Sequence, residues 1–417
     1  MPHPHTHSSY ALLLLTACGG GVTLVDPPPP PPVFGFRLLL TPDPEDLAAA
    51  QALGWASGIP AAEVTITPQD SSAAPRVLQA SATGTVEVGS VTSGNYIVEA
   101  KRWLTPAERA LLPANQDALG WIAKSLIRFA GSGGDVSLAV SADRRKGLVI
   151  GEWGFNWAAL QPVNQTYRFG GFLEIYNNAD TTSYLDGLTI VQGIVYEFDY
   201  PNFPCSAEAA FTNDAQGVWT RQVQQFPGRG NDYPMLPGGV VVVAIDAIDH
   251  SKIVNGGIDL SRADFEFWGG PGDVDNPAVP NMIDTLALGQ NSLGHGPLFQ
   301  AIASVAVLAR PYNRATAPRR LDLNGTEYAR VSADRIIDVV TLWPNYVAEW
   351  PRCPQLVNAR FDRGSFDGRG GDLNVEYEYS ISRRSVPSAS GGRPLLQHSR
   401  NSDADFIRTR RSPGIVP

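Results

Sequence analysis

Phe172-Leu173-Glu174-Ile175-Tyr176-Asn177-Asn178-Ala179-Asp180 decides the fold of the larger part of this chain. A short apolar and aromatic run ends in a cluster of turn residues, a pattern that fits a strand and is too brief for a helix. Gly147-Leu148-Val149-Ile150-Gly151-Glu152-Trp153 before it has the same character, as do Ser183 to Ile190, Val218 to Phe226 and Val240 to Ala244 after it. Five such strands separated by turn clusters predict an antiparallel β-sandwich over residues 146–417. Composition agrees. The 417 residues allow two or three domains, 43% are apolar and 18% charged, so cores can be buried and global disorder is excluded. Glycine (41) and proline (34) are frequent enough to break long helices, which argues against a bundle or coiled coil. A net charge of −9 opposes a general attraction to nucleic acid. No apolar run approaches the roughly 18 residues that a membrane-spanning helix needs.

Working toward the N-terminus, residues 33–104 alternate at period two. Val33 to Leu40, Glu63 to Thr67, Thr85 to Val88 and Tyr96 to Ala100 read as strands, with Tyr96, Val98 and Ala100 on one face. This stretch is long enough for a small β-sandwich of its own. Thr105-Pro106-Ala107-Glu108 is a capping box with proline at the first helical position, so a helix should start there and stop at Pro113. Ala118, Trp121, Ile122, Ser125, Leu126 and Phe129 lie at helical spacing and predict a second helix, which makes 105–145 a helical linker.

The leader predicts an address. Residues 1–17 have a polar start followed by an apolar run from Tyr10 to Leu15, and 18–32 form a Gly/Pro-rich tether that includes the hexaproline Pro27 to Pro32. Six prolines in polyproline II geometry make a stiff spacer of roughly 19 Å. Leu15-Thr16-Ala17-Cys18 resembles the lipobox of bacterial lipoproteins. That resemblance implies a cleaved signal peptide, lipidation of Cys18 and a soluble body tethered by lipid to the bacterial cell envelope, at the outer membrane. Cys205 and Cys353 then remain as an even pair in an exported chain. Pairing is preferred over two separate buried thiols.

Longer motifs carry a family resemblance. Gly58-Ile59-Pro60-Ala61-Ala62-Glu63-Val64-Thr65-Ile66 and Gly94 to Ala100 resemble the regulatory-like domain of carboxypeptidases, which implies a prealbumin-like sandwich without catalysis. Leu148-Val149-Ile150-Gly151-Glu152, Phe172 to Asp180 and Tyr184-Leu185-Asp186-Gly187-Leu188 resemble the lamin-tail domain, an immunoglobulin-like fold. Tyr233 to Gly239, Asp259 to Glu266 and Asp273 to Asn281 narrow the likeness to an uncharacterised family of bacterial lipoproteins that joins these two domains. The closing Ser382-Arg383-Arg384 and Asn401-Ser402-Asp403-Ala404-Asp405-Phe406 also match, as the Arg-bearing strand and the turn that end such sandwiches.

Catalytic signatures are sparse. The sequence has no G-x-S-x-G elbow, H-E-x-x-H helix, phosphate loop or zinc-type Cys/His spacing, and only His250, His295 and His398 follow the leader. Asp249-His250-Ser251 holds triad residue types, but neighbouring side chains in a loop point apart. Asp273 and Asp275 in one Gly/Pro-rich loop, and Asp362, Asp367 and Asp372 in another, are weak candidates for calcium. Turn capping is the preferred reading of both sets, and no cofactor is expected. Trp153, Trp157, Trp219 and Trp268 are candidates for sugar contact, with core packing the commoner fate. Residues 380–417 hold seven Arg and two Asp, a basic tail that could meet an anionic partner. The combined expectation is a mainly β, non-catalytic envelope lipoprotein: a surface binding or accessory module for an outer-membrane receptor or extracellular ligand, with nucleic acid disfavoured. Its recognition loops would be 156–168, 199–212 and 269–281. The rivals are a metal-dependent hydrolase built on Asp246, Asp273 and Asp275, and a structural or adhesive surface protein.

Overall fold

A computed structural model describes residues 33–69, 72–113, 116–131, 133–144, 147–154, 158–160, 165–167, 169–193, 209–268, 275–287, 304–322, 325–343, 356–367, 378–386 and 392–415. The chain is mainly β, as its alternation predicts. Strands β1 (Val33–Pro42), β2 (Glu63–Pro68), β3 (Arg76–Gln79), β4 (Thr85–Thr92), β5 (Gly94–Trp103), β6 (Ala118–Phe129) and β7 (Gly134–Arg144) share one sheet in the order β3-β2-β5-β6-β7-β1-β4. The β7–β1 pair is parallel and the other neighbours are antiparallel. The sheet curls until Arg76 of β3 reaches the Ser90 carbonyl on β4 at 3.4 Å. Its inner face carries Phe36, Leu38, Val64, Val98, Trp121 and Phe129. Gly58 and Gly84 let two turns touch: a β-carbon on Gly84, whose φ is +77°, would lie 2.6 Å from the Ile59 nitrogen.

Two expectations need correction here. The helix predicted over 118–129 is a strand, so there is no helical linker over 105–145. The first unit runs on to Arg144 instead of ending at residue 104. Residues 120–129 of β6 pair in register with all of β5, which would otherwise present an open row of amide and carbonyl groups. Trp121, Ala123, Ile127 and Phe129 enter the core, whereas Leu126 is exposed, which a helix docked through that stripe would not allow. The capped helix at Thr105 is present as the single turn Pro106–Arg109, with both halves of its capping box made.

Among the described residues after 146, two large sheets pack face to face, with three two-stranded ribbons beside them. One is six-stranded, in the order Phe265–Glu266, Val240–Ala244, Phe172–Asn177, β8 (Leu148–Gly154), Tyr379–Arg383 and Phe406–Arg410. The other is eight-stranded and centres on Gly217–Gln225, Thr189–Gly193, Ser304–Ala309 and Ile336–Trp343. Ile150, Ile175, Ile381 and Phe406 from the first meet Ile190, Leu308, Val340 and Leu342 from the second. Every residue of β8 and of Phe172–Asn177 is buried, because the outer face is covered too. There Glu152 and Glu174 stand opposite each other and take hydrogen bonds from the Ser412 and Gly414 amides, each at 2.9 Å. Burial pushes the Glu174 carboxyl up to about 8, and Glu152 and Asp264 add to the effect.

Candidate functional site

The two units meet through an acidic turn. After β1, Asp43 and Asp46 are fully buried. Within the first unit, Asp43 accepts from the Ser141 hydroxyl at 2.9 Å, and Asp46 accepts from the Ala142 amide at 2.9 Å and from Arg144 Nη2 at 2.6 Å. The sandwich supplies more cations. Arg400 Nη2 lies 2.5 Å from Asp46 Oδ2, and Arg363 pairs with Asp43. Backbone bonds continue the junction, since the Arg144 amide donates to the His398 carbonyl at 3.1 Å and the His398 amide donates to Asp143 Oδ1 at 2.5 Å. Lys124 of β6 pairs with Asp403 at 3.0 Å.

Behind this junction lies a second charged network. Arg383, 1% exposed, reaches Asp338 at 2.6 Å and Asp405 at 3.2 Å, donates to the Ile150 and Gln397 carbonyls, and sits 4.6 Å from the Phe406 ring centroid. Asp338 also accepts from His398 Nε2 at 3.0 Å and from the Ile150 and Val339 amides. Burial alone would raise its carboxyl, but Arg383 and then His398 hold it well below the usual carboxylate range. Burial pushes the Asp143 carboxyl up to about 8, reinforced by Asp405, and the His398 amide and the charge of Arg383 offset only part of that rise. The Asn401–Phe406 motif organises this centre. Asn401 caps the helical turn Ser402–Asp405, and Asp405 accepts from the Ser399 amide, the Ser399 hydroxyl and Gln397.

Between the units opens a cleft of about 310 Å³. Arg144, Arg360, Arg400, Glu45, Asp338 and His398 line it, and Ile337 and Phe361 give it an apolar wall. Chemically this is a site for holding a ligand by charge and shape. The four hydrogen bonds on Asp338 leave it acting as an anchor for Arg383 and His398, and its lowered basicity makes it a poor general base.

The predicted site residues are scattered. Asp362 is buried and accepts from Thr341, Ser402 and the Gly364 amide, a turn-capping role, with burial pushing its carboxyl up to about 6. Asp275 accepts from Asn281 at 2.5 Å. Asp367 ends the short strand Phe366–Asp367. Among the described residues no three His, Cys, Asp or Glu side chains converge to hold a metal. Asp273, Asp372, Cys18, Cys205, Cys353, Trp157 and most of the three candidate loops lie outside the described residues. Asp249 caps Ser251, while His250 is buried 2.6 Å from the Tyr167 hydroxyl. Trp153 is core, Trp219 is nearly so, and Trp268 is part exposed. The basic tail is used within the molecule: Arg383 and Arg400 pair with buried aspartates, Arg393 pairs with Asp180, and Arg408 lies over the Tyr379 ring. The sequence reading missed Asp43, Asp46, Asp143 and Asp338. Asp43 and Asp46 had a visible signal, the acid-rich turn Pro42-Asp43-Pro44-Glu45-Asp46 directly after a strand's apolar residues.

Comparison with known proteins bears on this junction, because the matched stretch contains Asp338, Arg383, His398 and Asp405. Residues 236–412 match the family DUF4876, described as a protein of unknown function. A DUF4876 family protein from Bacteroides thetaiotaomicron VPI-5482 shares the fold, with a TM-score of 0.52 at 19% identity over 92% of this chain and 96% of that one. A DUF3823 family protein from Parabacteroides merdae aligns over 75% of this chain and all of its own, at 11% identity and a TM-score of 0.18. No curated protein matches the chain.

Proposed function

We propose that this protein is a non-catalytic binding module of a bacterial cell envelope, tethered through a lipid on Cys18 and serving as accessory to an outer-membrane receptor or as a trap for an extracellular ligand. One observation carries the reading. Three buried carboxylates at the heart of the molecule, Asp338, Asp362 and Asp405, are taken up as acceptors that hold arginines, amides and hydroxyls in place. What they build is a stiff two-unit scaffold with a charged cleft at the junction, the arrangement of a recognition protein. The lipobox resemblance and the proline tether support the location, since a stiff stalk on an acyl anchor would hold such a scaffold clear of headgroups.

Two measurements test this. Labelling with a palmitate analogue should mark the wild type and miss Cys18→Ala, and equal incorporation would end the lipid tether. Ligands found by calorimetric screening should be recovered chemically unchanged after long incubation. Turnover that disappears in Asp338→Asn or His398→Ala would overturn the non-catalytic reading.

A further inference from the structure

We propose that the outer face of the strands Gly217–Gln225, Arg319–Leu321 and Glu327–Ser332 binds an acidic polysaccharide, through arginines packed over aromatic rings. This rests on the reading of the protein as a surface binding module and names the chemistry of what it binds. The register puts the groups together: Trp219 is paired with Arg330, and Tyr328 with Arg320, so all four share one face across three strands. Two strand spacings make that row about 10 Å wide. Phe211, from the helical turn Ala209–Thr212, lies across it, 5.5 Å from the Trp219 ring and 5.3 Å from Tyr328.

The arginines are placed by these rings. Arg320 lies 5.1 Å from the Trp219 centroid and 5.5 Å from Phe211, Arg330 lies 5.7 Å from Trp219, and Arg221 lies 5.9 Å from Tyr328. Asp214 pins the array, accepting from Arg330 Nη1 and from the Trp219 indole, each at 3.0 Å. A guanidinium resting over a ring keeps the N–H fork at its own edge open to a carboxylate or sulfate, and loses little further freedom on binding. Arg320 is exposed and, among the described residues, makes no ion pair, giving only a hydrogen bond to the Ala210 carbonyl at 2.5 Å. That separates it from Arg144, Arg363, Arg383 and Arg400, each of which is held by a buried carboxylate. The row also leads to the cleft, because Arg360 on the cleft wall donates to the Ala215 carbonyl beside Asp214.

Charge complementarity therefore selects a polyanion, and the rings narrow the choice. Trp219 is 3% exposed and Phe211 7%, so their faces are covered by arginine and cannot stack on nucleobases, as binders of single-stranded nucleic acid require. What remains on offer is the exposed fork of Arg320, flanked by Arg330, which Asp214 already pairs, and by Arg221, a spacing of positive charge that suits uronate or sulfate groups along a glycan.

The test uses the full purified chain with heparin and polygalacturonate as probes, and dextran and duplex DNA as comparators, followed by calorimetry at low and at raised salt. The wild type should bind at least one acidic glycan, more weakly as salt rises, and should not bind dextran. Arg221→Gln with Arg320→Gln should weaken binding by about tenfold or more, while Arg37→Gln, on the exposed surface of the first unit, should leave it unchanged. Unaltered thermal unfolding would show that the double variant is folded. If it is not, Arg320→Lys serves in its place, since it keeps the charge, loses the fork and should still bind more weakly. Failure of the wild type to bind either acidic glycan, equal binding by the variants, or DNA binding as tight as glycan would overturn the proposal. Binding followed by depolymerisation would leave this site standing and sink the non-catalytic reading, so the two fail separately.

Discussion

Replacing Arg383 with Met is the sharpest probe of the charged centre. Methionine nearly fills the volume and keeps contact with Phe406, but it leaves Asp338 and Asp405 buried without their shared cation. It also strips the Ile150 and Gln397 carbonyls of a donor. Removing one partner of a buried ion pair costs about 3 to 5 kcal/mol, chiefly through the charge left behind. For a unit of this size each kcal/mol moves the melting temperature by roughly 2 to 4 °C, so a loss of about 4 kcal/mol predicts a fall of roughly 8 to 16 °C near neutral pH. The pH dependence has a definite sign. In the wild type Asp338 is held below its ordinary range, so its stabilisation is present above that range and is lost only as pH falls through the lower folded value. Without Arg383, burial dominates and the carboxyl rises, so protonation at mildly acidic pH should relieve part of the damage. Scanning calorimetry of both proteins at about pH 7.5 and about pH 5 should therefore show a gap that narrows on acidification. A deficit under about 1 kcal/mol at the higher pH, or a gap that does not narrow, would refute the role given to Arg383.

Asp143→Asn should stabilise the protein at alkaline pH and converge with the wild type near pH 4. Between 3.8 and about 8 the unfolded carboxyl is ionised while the folded one keeps its proton, so wild-type stability falls as pH rises through that window. Melting curves across the range check this, and a variant less stable than wild type at pH 8 would contradict it. Asp46→Asn should cost about 2 to 4 kcal/mol by leaving Arg144 and Arg400 underpaired at the junction, and should split one calorimetric transition into two. A single, unshifted transition would show that the ion network does not couple the units.

Much of the architecture could be read directly. Period-two alternation placed β1, β2, β4 and β5, and short apolar runs between turn clusters placed β8, Phe172–Asn177 and Val240–Ala244. These signals are local, since each strand shows its buried face in its own side chains. The capping box at Thr105 was equally legible, because all four of its residues are adjacent in the chain. The stretch 118–129 failed for a physical reason: six of its residues satisfy helical spacing, and its state was settled by β5, whose open hydrogen-bonding edge it completes.

The charged centre could not be found in this way. Asp43 and Arg400 are separated by 357 positions and Asp338 and Arg383 by 45, and nothing in an isolated aspartate marks it as one that will be buried. From the residues alone came the β character, the turns and the scarcity of catalytic motifs. Which arginines are locked inside and which lie outward on aromatic rings was decided by tertiary structure, because the dielectric and the partner that a charge meets are properties of the packed fold and not of its neighbours in sequence.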